Sequence, residues 1–61
     1  SFYDLAQMVR ALDSNIPIVL LTGYGSDIDD YTCDNLGIKA VVSKPFSNEG
    51  LLKTVETVLN T

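Results

Sequence analysis

The chain has 61 residues, enough for one small domain or part of a larger one, because domains usually contain about 100 to 150 residues. Hydrophobic residues make up 46% of the chain and charged residues 20%, a globular balance that argues against a disordered segment. Eight acidic against four basic residues give a net charge of −4, which argues against nucleic acid as a direct partner.

The residue types limit the available chemistry further. The chain has no histidine and one cysteine, Cys33, which excludes an internal disulfide, a tetrahedral zinc site and Cys-His or Ser-His nucleophiles. The longest apolar run, residues 16–21, is far shorter than the roughly 18 to 20 residues of a membrane span. No basic signal sequence follows Ser1. We therefore expect a cytoplasmic protein whose chain makes no membrane contact.

The first predicted element is a helix over residues 2–12. Phe2, Leu5, Val9 and Leu12 recur at three- and four-residue spacing, and the polar cluster 13–15 ends the pattern. Residues 16–22 follow as a continuous apolar run rich in β-branched side chains. Such a run predicts a strand buried on both faces of a parallel sheet.

A second helix is predicted after the break at residues 23–26. Ser26 followed by Asp29 resembles a capping box, and Gly37 is a natural helix end. The residues expected along one face of this helix are Ile28, Tyr31, Asn35 and Leu36.

A second buried strand is predicted over residues 39–43, followed by a helix capped by Ser47. The amphipathic stripe of this last helix consists of Leu51, Leu52, Val55, Val58 and Leu59. The order helix, strand, helix, strand, helix predicts an α/β fold with a parallel sheet. Two parallel strands are a poor sheet by themselves, so we expect a fragment of a larger α/β domain or a chain completed by a partner.

Two polar residues end the two predicted strands. Thr22 ends the first and Lys44 follows the second, and the carboxyl ends of parallel strands share the edge where α/β sheets bind ligands. A hydroxyl donates to an anionic oxygen, and a lysine holds a phosphoryl group or carboxylate as a point charge. Taken alone, Thr22 is better explained as a polar strand end, and Lys44 as a surface lysine at a turn. The pair predicts an anion site, and Pro45 after Lys44 is a candidate for a cis bond.

Two other interpretations of the chain are weaker. Gly23-Tyr24-Gly25 invites a dinucleotide-binding hypothesis, but Ile28 stands where the third glycine is needed and Lys44 where an acidic residue is. The acidic residues at 27, 29, 30 and 34 lack the spacing of a calcium loop, and a solvated helix start explains them better. No catalytic or metal-ligating residue is therefore expected.

The chain resembles the carboxyl-terminal half of a response-regulator receiver domain. The resemblance is carried by residues 17–24 (PIVLLTGY), Gly37 and residues 40–47 (AVVSKPFS), and it extends over essentially all of residues 1–61. It is most similar to receivers of hybrid sensor histidine kinases. It implies part of a flavodoxin-like (βα)5 fold in a phosphorelay, with a phosphohistidine-bearing kinase or phosphotransfer domain as the partner of the parent protein.

The resemblance also implies roles for three residues. Thr22 would contact the phosphoryl oxygens, Lys44 would pair with them, and Pro45 would follow through a cis bond. The phosphoacceptor Asp and the acidic pair that binds Mg²⁺ in complete receivers are absent from the chain. We therefore expect no cofactor and no enzymatic activity in this chain, although its parent could be a kinase.

Two further expectations concern the switch and the assembly. Val41 stands where many receivers carry an aromatic residue that swings inward, which puts that part of the switch in doubt. The open edge of the first strand predicts a homodimer or a domain-swapped assembly. The alternative function is a small half-flavodoxin-like interaction module without phosphate chemistry.

Overall fold

The computed structural model describes residues 1–23 and 28–60, and this part of the chain folds as three helices and two strands. The elements in chain order are α1 (Phe2–Leu12), β1 (Ile18–Thr22), α2 (Asp30–Leu36), β2 (Ile38–Ser43) and α3 (Asn48–Leu59). The predicted α/β order is confirmed, and α1 matches the predicted bounds. Both strands end at the predicted residues, but β1 begins two residues later and β2 one residue earlier than predicted.

The two strands pair in parallel, as predicted. Leu20 lies opposite Val41, and Thr22 lies opposite Ser43, with an irregularity between Ile18 and Val19. Because side chains alternate along a strand, these two opposed pairs point to the same face of the sheet. Leu20 and Val41 pack against residues of α1 and α2, so this face is covered by those two helices. Helix α3 packs on β2.

The predicted strand 16–22 is two residues too long at its start. The Ile16 N–H donates to the Asp13 carbonyl at 3.5 Å, and the Ile16 carbonyl accepts from the Arg10 guanidinium. Pro17 has no N–H to offer a neighbouring strand. These bonds hold residues 16 and 17 in the turn after α1, and β1 begins only at Ile18.

Helix α2 begins later than predicted, and its buried face differs. Asp29 is its N-cap, whereas Ser26 lies outside the described residues. Leu36 is buried and Cys33 packs against the core, but Tyr31 is 76% exposed and Asn35 is also exposed. A helix of seven residues buries one narrow face, and the spacing of Cys33 and Leu36 occupies it.

The predicted C-terminal end of α2 and the predicted N-terminal cap of α3 are confirmed. Gly37 ends α2 in the left-handed conformation, with φ 70° and ψ 28°. The Ser47 hydroxyl caps α3 by accepting the Gly50 N–H at 2.9 Å. Both caps satisfy backbone groups that a helix end leaves without partners.

The buried core is small. Only Ala6, Leu36 and Ile38 are buried among the described residues, and no described side chain is fully withdrawn from solvent. The expectation that β1 is buried on both faces is wrong, because Leu21 is 42% exposed and the rest of the strand is half-buried. The physical reason is that a strand needs neighbours on both sides to be covered, and the described sheet holds only β2 beside β1.

Helix α3 is also incompletely covered by the rest of the described chain. In α3, Leu51 and Val58 are half-buried, whereas Leu52, Val55 and Leu59 are exposed. The predicted stripe of α3 therefore contacts the sheet along only one of its borders. None of the helices in residues 1–23 and 28–60 has the length and hydrophobicity of a transmembrane span.

Candidate functional site

Thr22 and Lys44 lie side by side at the carboxyl end of the sheet. Thr22 is the last residue of β1, and Lys44 follows the last residue of β2. The Lys44 N–H donates to the Thr22 carbonyl at 2.8 Å, which extends the ladder of hydrogen bonds one step beyond β2. The two residues that the sequence singled out are therefore adjacent in the fold.

The carboxyl end of the sheet, called the rim below, contains a second hydroxyl that the sequence interpretation did not assign to the site. Ser43 is exposed and lies directly opposite Thr22, and paired residues share a face of the sheet. Thr22 itself is half-buried. No sequence signal identified Ser43, because its place opposite Thr22 depends on the register of the two strands.

The segment after Lys44 connects the rim to α3. The Lys44–Pro45 peptide bond is cis, as the resemblance implied, and Ser47 follows as the cap of α3. The Lys44 side chain is exposed and makes no hydrogen bond or ion pair with the residues that the structure describes. Its ammonium is therefore available to an anion that approaches from outside the chain.

The acidic residue that caps α2 already has a partner within its own helix. The Asp29 carboxylate accepts the Thr32 N–H at 2.7 Å, and hydrogen bonds from the Thr32 side chain and backbone hold the pKa of Asp29 below its ordinary value. This carboxylate is ionised and committed to capping its own helix. Among the described residues, no acidic residue directly follows a strand, where a phosphoacceptor would have to stand.

Cys33 and the acidic residues that the structure describes form no metal site. No group of three or more Cys, Asp and Glu side chains in residues 1–23 and 28–60 is placed to hold a metal ion. Partial burial, together with the nearby Asp30, Asp34 and Asp29 carboxylates, raises the pKa of the Cys33 thiol. A thiol with a raised pKa is a poor nucleophile near neutral pH.

The glycines that suggested a dinucleotide site do not strengthen that hypothesis. Gly23 has no positive φ, and none of the residues that the structure describes lies within 4 Å of the place where its Cβ would stand. Among these residues, Gly23 therefore serves no close backbone approach of the kind a phosphate-binding glycine provides. Tyr24, Gly25, Ser26 and Asp27 lie outside the described residues.

Among residues 1–23 and 28–60, the carboxyl end of the sheet brings together two hydroxyls and one lysine, and no acidic residue directly follows either strand. Such a rim can contact an anion but cannot form a covalent bond to a phosphoryl group as an aspartate would. A scan against protein-family models found no match, and searches of curated proteins and of solved structures found no significant match either.

Proposed function

We propose that this chain is the carboxyl-terminal half of a phosphorelay receiver domain, and that it senses a phosphoryl group carried on an aspartate outside this chain. One observation carries the proposal, the backbone hydrogen bond between Lys44 and Thr22. It sets the backbones of Thr22 and Lys44 side by side at the edge where parallel sheets bind ligands, which supports a shared role for their side chains.

The chemistry of a phosphoryl group suits this rim. A phosphoryl group brings about two negative charges and three acceptor oxygens. The Lys44 ammonium would neutralise part of the charge, and the Thr22 hydroxyl would donate to one oxygen, with Ser43 beside it. In this proposal the phosphoryl donor is a phosphohistidine-bearing kinase or phosphotransfer domain that acts on the parent protein. Mg²⁺ would be held only by the acidic pair of a complete receiver.

Thr22 is the residue through which this half would report phosphorylation. Val41 packs against the core cluster, so it offers no side chain that could swing toward the rim. Thr22 precedes the segment that leads into α2, so a movement of its hydroxyl toward the phosphoryl group would pull on that connection. Ordering of a loop by contact with a phosphoryl group is a known switching device.

The test is reconstitution of a receiver in trans. The chain is mixed with the amino-terminal half of a receiver that carries the acceptor aspartate, and a small phosphodonor is added. The measured quantities are the initial rate of aspartyl phosphorylation and the lifetime of the phosphoaspartate. We expect Lys44→Ala to lower the rate at least about tenfold, because one charge-assisted contact to the phosphoryl group is lost.

Lys39→Ala is the matched control, since Lys39 is an exposed lysine near the opposite end of β2. Its rate should stay within about twofold of the unmodified chain, because about 16 Å of strand separates it from Lys44. Equal rates for the two variants would contradict the proposal and favour an interaction module without phosphate chemistry. Absence of phosphorylation with the unmodified chain would contradict it as well.

A further inference from the structure

We draw no further inference here: the strongest candidate, the apolar face of α1 that Leu5, Met8 and Leu12 leave exposed, carries none, because nothing that the structure describes shows what covers it.

Discussion

Gly37 is the position where one added methyl group should cost the most stability. It ends α2 with φ 70°, a conformation that residues with a Cβ rarely adopt. A Cβ at this position would stand 3.1 Å from Arg10 Nε and 3.2 Å from Arg10 Cζ. Gly37→Ala therefore strains the backbone and also displaces the guanidinium that donates to the carbonyls of Ser14 and Ile16.

The two effects can be estimated separately. The left-handed conformation costs a non-glycine residue about 1 to 2 kcal/mol. Weakening the hydrogen bonds of Arg10 costs about 1 kcal/mol more, since these bonds lie at the surface. We therefore expect Gly37→Ala to lower the free energy of unfolding by about 2 to 3 kcal/mol. Asparagine tolerates the left-handed conformation, so Gly37→Asn should lose mainly the Arg10 part, about 1 kcal/mol.

The assay is urea unfolding followed by circular dichroism, at one fixed protein concentration because association would change the apparent stability. Gly23→Ala is the matched control, since its Cβ would meet none of the described residues within 4 Å and its backbone has no positive φ. That substitution should leave the stability unchanged or raise it by up to about 1 kcal/mol. If Gly37→Ala were as stable as Gly23→Ala, the junction between Arg10 and Gly37 would not hold the helices as described.

Two further predictions concern α3 and the thiol. Ser47→Ala removes the hydroxyl that accepts the Gly50 N–H and should lower the free energy of unfolding by about 1 kcal/mol, whereas Ser47→Asp keeps an acceptor and should lose much less. Urea unfolding of both variants measures the difference, and equal losses would contradict the cap. The raised pKa of Cys33 should slow its alkylation by iodoacetamide at pH 8 relative to the unfolded chain. The pKa of the Cys33 thiol is higher in the folded chain than in the unfolded chain. The contribution of the protonated thiol to stability is therefore present at neutral pH and is lost as the pH rises past the folded pKa.

Local sequence patterns predicted the elements well and the burial poorly. The α1 bounds, the left-handed Gly37 and the Ser47 cap follow from neighbouring residues, and all three are present in the structure. The burial of β1 depends on which elements pack beside it. An apolar run such as Ile18–Thr22 indicates that a strand is suited to burial, but it does not show that neighbouring elements cover the strand. Leu21 is therefore exposed despite a sequence typical of a central strand.

The candidate site shows the same division. Thr22 and Lys44 could be placed together from topology alone, because parallel strands deliver their carboxyl ends to one edge. The position of Ser43 beside them could not be predicted, because it depends on the register that sets Ser43 opposite Thr22. The later start of α2 at Asp30 was also not predictable, since both Ser26 and Asp29 are good helix caps by residue type.

The small core has a consequence for how this sequence tolerates change. With Ala6, Leu36 and Ile38 the buried residues among those described, few substitutions create a cavity inside the chain itself. Most replacements of its apolar residues would be felt instead by whatever lies against them. In the receiver proposed above, a survey of tolerated substitutions would therefore trace the surface that meets the missing half more clearly than the interior of this chain.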